Sequence, residues 1–514
     1  MTATSNQDYT NIPESDSENA ALNPNPEPWA RLRDGGSLTV HPDGRSYNYS
    51  YGPKGLAGLF SNQYTLWCVI FASIGGLSFG YDQGVIANVL VMKDFTERWP
   101  ISPFQEGLMT AILELGALTG SVLSIFVACV VFCIGSVFQC GAWKLYHIFI
   151  GRAVGGFRRC RSLSMLSPLY MAEISPPELR GSLMALEQFA IVLGVVCGFW
   201  IGFFTRSTQH LGAVPLGIQI VPGIILFLQG RYEEALASLA KLRRRTPIEA
   251  KRDPLIQIEL LEMRVEATLL QRISPNADDL KPHGNLGELG SWGALFTKKY
   301  RARTAVGVLM MVFQQWSGIN ALLYYGPILV KSIGLSGEKV TLLVSGGIGV
   351  VQFFAVIPAI SQIDRIGRKS LLRGGGAVMA CSHFAIAILR KCICTFTASY
   401  GVSFGPIGWV LPSEVFPLSI RSKGVALSTA SNWTNNFLIG LVTPVLVEYS
   451  AATFMIFSTA CFLAYLWATY SVPETANVSL EEIDAVFGTS SGQDDELVRQ
   501  QVGLREIIRD FADT

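Results

Sequence analysis

Apolar stretches separated by short polar ones make up most of the chain. Runs of roughly 20 residues, enough for a helix to cross a bilayer, occupy 64–92, 182–204, 212–229, 304–330, 340–362, 370–389, 424–446 and 451–470. Two weaker spans, 145–172 and 393–412, are interrupted by Gly, Pro or charge. The stretch 107–142 is apolar throughout except for Glu114; it is too long for one crossing and leaves almost no room for a turn between two. Read as two cramped helices, it brings the count to twelve, six on either side of a polar segment. The pattern predicts an all-α membrane protein of two six-helix bundles, with helices 2 and 3 cramped or incomplete.

Domain boundaries follow from the same pattern. Residues 1–62 are polar and rich in Pro, Asn and Ser, and read as a disordered cytoplasmic tail with no signal peptide. An N-terminal helix bundle over 63–229, a linker over 230–303, a C-terminal bundle over 304–470 and a cytoplasmic tail over 471–514 complete the expected division. In the linker, Arg231–Arg245 and Pro254–Arg272 alternate apolar and charged positions at helical spacing, and are expected to lie as amphipathic helices on the membrane surface. About fourteen Lys and Arg in this linker put it in the cytoplasm by the positive-inside rule. An even number of spans then puts both termini there too.

Composition agrees with this picture. Of 514 residues, 50% are hydrophobic and only 15% charged, against about 25% charged in soluble chains; mean hydropathy is +0.36. The net charge of +1 gives no argument for a nucleic-acid partner. Ten cysteines are scattered, most of them in apolar runs, and read as small core residues. Cys392-x-Cys394 lacks the further ligands of a zinc site. No nucleophile–base–metal constellation or phosphate loop appears, so neither an enzyme nor a cofactor is expected.

The most informative chemistry lies inside an apolar run. Gln314-Gln315-Trp316-Ser317-Gly318-Ile319-Asn320 and the pair Tyr324-Tyr325 put neutral amides and phenols where hydrocarbon surrounds them. An unsatisfied polar group there costs roughly 2–7 kcal/mol. Helix–helix glue accounts for one such amide; a cluster with no ion among it points to a cavity for an uncharged, hydroxyl-rich solute. Asn and Gln offer both donors and acceptors, as each sugar hydroxyl does. An internal repeat supports two related halves: Glu173-Ile-Ser-Pro176-Pro-Glu-Leu-Arg180 recurs as Glu414-Val-Phe-Pro417-Leu-Ser-Ile-Arg421, each after a Gly- and Pro-interrupted span. Repeated halves with the solute held between them are a known transporter architecture.

With those features the chain resembles the sugar porter family of the major facilitator superfamily, most like fungal hexose or polyol permeases. The resemblance runs from about Tyr64 to Phe487. It is carried by Phe79-Gly-Tyr-Asp82-Gln-Gly-Val, Ala172-Glu-Ile-Ser-Pro-Pro-Glu-Leu-Arg-Gly181, the Gln314–Tyr325 segment, Asp364-Arg-Ile-Gly-Arg-Lys369, Gly405-Pro-Ile-Gly-Trp409, Ser431-Asn-Trp-Thr-Asn-Asn-Phe437 and Pro473-Glu-Thr475. It implies a major facilitator fold and a carrier working by alternating access. By motif, Gln314, Gln315, Asn320 and Tyr324 take the seventh-helix sugar positions, Asn320 and Tyr324 sharing a face at i,i+4. Gln188 takes the matching amide of the fifth helix, and Gln352, fifteen residues before Gly367, that of the eighth. Trp409 would lie against the sugar's CH face. Asn432 and Asn436 share a face of the eleventh helix beside Trp433.

Asp82 is the mechanistic centre of the resemblance. An ionisable residue within a span costs about 2.5–3.5 kcal/mol on insertion scales and marks function by default. Proton-coupled members place an aspartate here, facing a fourth-helix arginine that corresponds to Arg152. H+ is thereby implied as a coupling ion, although some facilitative members keep the aspartate, and a structural ion pair is the plainer reading. Glu173, Arg180, Asp364, Arg365, Arg368, Glu414, Arg421 and Glu474 belong in the resemblance to a charge network that closes the cytoplasmic gate. Ordinary solvated loop charge is the plainer reading of these eight.

Four departures stand out. The expected Asp-Arg-x-Gly-Arg-type loop between helices 2 and 3 is missing, since Ser121–Phe126 runs directly into Val127. The segment after helix 6 is missing where Gln229 meets Gly230. The helix 9–10 loop is compressed to Arg390-Lys391, and Arg158, Arg159 and Arg161 replace small residues in helix 4. Losses at loops between intact flanks look more like a faulty gene model or a decaying copy than adaptation. The leading expectation is a multi-pass plasma-membrane carrier for a hexose or polyol, monomeric in the bilayer, with H+ as its one coupling ion. A non-transporting sugar sensor on the same fold and a quinate or organic-acid permease are the alternatives. Only about forty residues after Pro473 count against the sensor, and the amide set counts against the acid.

Overall fold

A computed structural model describes residues 30–31, 37–40, 47–50, 63–119, 134–139, 141–142, 144–175, 179–205, 292–332, 334, 337–389, 392–417, 420–447, 449–476 and 487. Three short strands, β1 (Ala30–Arg31), β2 (Ser37–Val40) and β3 (Tyr47–Ser50), form an antiparallel sheet in the order β1-β2-β3. The sheet lies inside the segment read as a disordered tail, where Thr, Val and Tyr favour the extended chain. Every other regular element among the described residues is helical.

The first half begins with α1 (Gln63–Ala72) and α2 (Ile74–Val89), parted at Ser73, whose hydroxyl donates to the Val69 carbonyl at 2.8 Å. The short α3 (Lys93–Arg98) leads to α4 (Pro103–Thr119). Of the expected third helix, residues 134–139 are helical; 120–133, which carry the missing-loop question, lie outside the described residues. The weak span at 145–172 is one continuous helix, α5 (Leu145–Ile174), which runs through Pro168. Neighbouring helices re-satisfy the backbone that such a proline frees. The fifth span is α6 (Arg180–Thr205). The expected span 212–229, both amphipathic linker helices and the side chains of Arg158, Arg159 and Arg161 lie outside what is described.

The second half opens with a 3-10 turn at Ala294–Phe296. Its first span is split into α7 (Arg301–Trp316) and α8 (Ile319–Ser332). The split falls at Ser317-Gly318, where Gly318 takes φ +88 and a Cβ would strike Phe457 at 2.8 Å, so only glycine fits. Then follow α9 (Glu338–Ile366), α10 (Arg368–Leu389), α11 (Ile393–Val402), α12 (Phe404–Val415), α13 (Arg421–Val447) and α14 (Ser450–Tyr470). The weak span 393–412 is thus α11 and α12, parted at Ser403.

Six helical spans among the described residues are long and apolar enough to cross a membrane: α1–α2, α6, α7–α8, α9, α10 and α14. The others are too short or too polar by themselves to qualify. α13, for example, buries Ser428, Thr429, Asn432 and Asn436 against neighbouring helices. Polar groups in a membrane face the bundle interior because lipid cannot satisfy them.

Small residues set the tightest packing. Gly76, Gly80 and Gly84 recur every four residues on α2, and Gly194, Gly198 and Gly202 on α6. A Cβ on Gly80 would lie 1.8 Å from the Ile191 carbonyl oxygen, and one on Gly194 2.1 Å from that of Leu77. The two backbones therefore touch, as small-residue stripes allow. The halves meet along two matched seams: α4 packs on α13, and α6 on α9. By the six-and-six count each seam joins a second span to a fifth, the reciprocity expected of halves related by a two-fold axis along the membrane normal.

Candidate substrate-binding site

The split of α7 from α8 builds the site. Breaking the helix at Ser317-Gly318 strands carbonyls that an unbroken helix would satisfy. The Ser317 hydroxyl donates to the Gln314 carbonyl at 2.7 Å. His383 of α10, fully buried, sets its Nε2 at 2.8 Å from the Ser317 carbonyl, which can only accept. With its backbone satisfied, the break turns Gln314, Gln315 and Asn320 toward one cavity. Asn320 Nδ2 donates to Gln315 Oε1 at 2.5 Å. Gln314 Nε2 reaches the Phe404 and Gly405 carbonyls at 3.1 and 3.2 Å, and its Oε1 accepts from Asn432 Nδ2 at 2.8 Å. Gly408 makes that reach feasible, since a Cβ there would sit 2.0 Å from the Gln314 amide nitrogen.

Seven amides line the cavity: Gln83 of α2, Gln188 of α6, Gln314 and Gln315 of α7, Asn320 of α8, Gln352 of α9 and Asn432 of α13. Phe79, Tyr400 and Trp409 supply the aromatic wall, and no Asp, Glu, Lys or Arg is among the described residues lining it. Trp409 Nε1 donates to Gln188 Oε1 at 3.3 Å, a bond that crosses between the halves. Gln352 Oε1 is buried and has no hydrogen-bond partner among the described residues. Leaving such an acceptor unmet costs about 1–3 kcal/mol, so it marks a place where a ligand hydroxyl gains most. About 30 Å³ of the void is open to the centre of a water molecule. One buried water needs roughly 10–15 Å³. The cavity in this closed arrangement is therefore the size of about two waters.

Of the ten sequence-assigned binding residues, seven (Gln188, Gln314, Gln315, Asn320, Gln352, Trp409 and Asn432) line this cavity together. Tyr324, Trp433 and Asn436 do not reach it. Trp433 stands behind Phe79, edge to face at 5.0 Å. Tyr324 and Asn436 lie one helical turn beyond Asn320 and Asn432, and bond each other with Asn436 Nδ2 at 3.2 Å from the phenol oxygen. Sequence reasoning passed over Phe79, Gln83 and Tyr400. The signal for Gln83 was its place beside Asp82 inside a span.

Asp82 and Arg152 face each other, both 1% exposed, with Nη2 3.4 Å from Oδ2. Arg152 is anchored further by Nε to the Met109 carbonyl at 2.8 Å and Nη2 to that of Thr110 at 3.2 Å. The pair thus ties α2, α4 and α5 together, one residue from the cavity amide Gln83.

At the opposite end of the cavity lies a charged network. Arg368 holds Glu414 through two bonds of 3.1 and 2.7 Å and approaches Asp364 at 3.0 Å. Glu474 accepts from the backbone N–H of Arg368 and Lys369 at 2.8 and 3.1 Å, and Thr475 donates to Glu414 at 2.7 Å. Asp364 crosses to the other half, accepting from the Ser182 backbone N–H at 2.9 Å and from its hydroxyl at 2.6 Å. Arg180 is buried at the start of α6, and Arg421 donates Nε to the Phe416 carbonyl at 3.2 Å. Arg365 is exposed and stands apart from this cluster, because it sits on the outer face of the last turn of α9. The Glu173 side chain lies outside the described residues.

Comparison with known proteins follows the same lines. A family model described as "Sugar (and other) transporter" matches residues 68–487. A low-affinity glucose transporter of Saccharomyces cerevisiae, HXT1, is 29% identical over 485 residues, covering 82% of this chain and 81% of that protein. A galactose transporter of the same yeast is 30% identical, covering 82% and 80%. An arabinose-proton symporter of Bacillus subtilis is 29% identical, covering 81% and 93%. Among solved structures, the major facilitator proton:xylose symporter XylE bound to 6-bromo-6-deoxy-D-glucose superposes with a TM-score of 0.65 at 24% identity, covering 82% of this chain and 99% of that one. The chain has the major facilitator fold, spans a membrane several times, and belongs to the family of sugar (and other) transporters.

Proposed function

We propose that this protein carries a hexose or polyol across the plasma membrane by alternating access, coupled to H+. The observation that carries the reading is the convergence of seven amides from both halves on one ion-free cavity backed by Trp409. Amides match the donor-and-acceptor character of sugar hydroxyls, and an indole suits the CH face of a pyranose. A hexose has about a dozen non-hydrogen atoms and far exceeds a two-water void. Loading therefore needs the halves to part on one side while the other stays shut. The relatives named above, which carry glucose, galactose and arabinose by their descriptions, support the substrate class.

Coupling to H+ is supported by the buried Asp82–Arg152 pair and by the likeness to the arabinose-proton symporter. A basic linker is the support for cytoplasmic termini. Under this reading Gln188, Gln314, Gln315, Asn320, Gln352, Trp409 and Asn432 contact the sugar. Tyr324, Trp433 and Asn436 back them, and the Arg368 network gates the cytoplasmic end. The test is uptake of a radiolabelled panel of hexoses, pentoses, polyols and quinate in a transporter-null yeast at external pH 5 and about 7.5. Accumulation of one neutral sugar or polyol, stronger at the acidic pH, is the expected result. Uptake of quinate alone, or no saturable uptake despite surface expression, overturns the proposal.

A further inference from the structure

Glu114 is the only charge in the apolar run 107–142, and nothing in sugar binding uses it. It lies on α4, 0% exposed. Its Oε1 accepts the Tyr324 hydroxyl at 2.7 Å, across the boundary between the halves. The phenol is saturated: it donates to Glu114 and accepts from Gln83 Nε2 at 2.9 Å and Asn436 Nδ2 at 3.2 Å. A phenol has one proton to donate, and Glu114 Oε1 at 2.7 Å is a nearer acceptor for it than Asn436 Oδ1 at 3.3 Å. Asn436 shares Tyr324's own half, whereas Gln83 and Glu114 belong to the other. Gln83 also lines the cavity, which places the phenol directly over it.

The same seam is close-packed one to two turns further from the cavity. A Cβ on Gly107 would meet the Leu441 carbonyl oxygen at 2.6 Å, and one on Gly440 would meet Ala111 Cβ at 3.2 Å. Tyr325 secures its own side by donating to the Gly440 carbonyl at 2.7 Å. Parting α4 from α13 carries α8 with it through Tyr325 and therefore strains the Tyr324–Glu114 bond.

We propose that Glu114 is the fixed acceptor of a latch that holds the halves together on the side of the cavity away from Arg368, with Tyr324 as the donor that lets go. It is a positioning residue: it sets how often this side opens and does not touch the solute. The inference rests on the alternating-access reading, and its test needs no transported sugar.

A cysteine at Ala111, buried against Gly440, reports opening through its rate of reaction with a membrane-impermeant maleimide. Rates are compared with and without Ala111→Cys to subtract the native cysteines. Glu114→Leu in that background should raise the labelling rate at least about 5-fold, and Glu114→Gln, which keeps an acceptor for the phenol, should restore it to within about 2-fold. Tyr324→Phe, which also gives up the Gln83 bond, should raise the rate at least as much as Glu114→Leu, and adding Glu114→Leu to it should change nothing further. Equal labelling in Glu114→Leu and its parent, additive effects of the two variants, or failure of Glu114→Gln to restore the slow rate overturns the latch. A protein that transports no sugar still gives the labelling result, so the two readings fail separately.

Discussion

The two ends of the central cavity are closed by different chemistry. Away from Arg368, the halves meet through glycine-backed contact between α4 and α13 and through the Tyr324 phenol, which bonds Glu114 and Gln83 across the boundary. At the other end they meet where Ser182 caps Asp364 beside the buried Arg368–Glu414 pair. The first seal is mainly close packing, and opening it exposes apolar surface at about 25 cal/mol per Å². The second is made of groups that water solvates well, so the desolvation penalty of the closed state is recovered when it opens. One seal is held by area and fit, the other by Ser182's hydrogen bonds to a carboxylate whose cation, Arg368, belongs to its own half. They should therefore fail differently: the charged end when a partner is lost, the packed end when volume is added.

The largest effect is expected from Arg368→Leu. It leaves Asp364 and Glu414, both nearly inaccessible, without their shared cation. Removing one partner of a buried pair costs about 3–5 kcal/mol. The detergent-solubilised protein should lose its monodisperse peak at a lower temperature than wild type, with surface expression reduced. An unchanged melting profile would mean that the pair contributes no more than surface charge. Gly107→Val comes next. Its side chain meets a backbone oxygen that cannot swing aside, and overpacking costs about 1–3 kcal/mol. The variant should fold yet stand open at this end, with fast maleimide labelling at an introduced Ala111→Cys. A slow, wild-type labelling rate would break the contrast between the two seals.

The amide site was legible in the sequence because hydrocarbon makes every polar group conspicuous. Gln314, Gln315 and Asn320 announced themselves within one apolar run, and the spacing of Asn320 and Tyr324 fixed their common face. That face is long enough to reach past the cavity, so Tyr324 binds Glu114 instead of lining the void. Pairings of this kind were not legible: Glu114 and Tyr324 stand 210 positions apart, and no local pattern joins them. The same holds for the α2 and α6 glycines, whose spacing is plain while their partner is not. Breaks at Ser73 and Ser403 have no proline or glycine at the break itself, and only three-dimensional packing reveals them. Pro168, which argued for an interrupted span, is instead absorbed within α5.

A variant between the seals sharpens the comparison by leaving both alone. Asn320→Ala removes a cavity donor that also holds Gln315 in place. It should raise KM about 10-fold, equivalent to about 1.4 kcal/mol, at unchanged surface expression and unchanged labelling at Ala111→Cys. A change in labelling with KM intact would make Asn320 part of the closure and remove it from the site.

The smallest expected effect tests the charged seal from the other half. Ser182→Ala deletes the hydroxyl bond to Asp364 while its backbone N–H, 2.9 Å from the same oxygen, remains. One hydrogen bond of this kind contributes about 0.5–1.5 kcal/mol net, somewhat more to a charged acceptor. If opening breaks it, the state open at this end gains about 2- to 12-fold in population. A solute approaching from the packed end then finds fewer competent molecules, and its apparent affinity falls by the same fraction. Zero-trans KM measured from the two sides of reconstituted vesicles should therefore split, rising from the packed side and falling from the charged side. Arg368→Leu cannot give this reading, because it disturbs folding as well. A parallel shift from both sides would assign Ser182 to substrate affinity, and no shift at all would mean that Asp364 stays with Ser182 throughout the cycle.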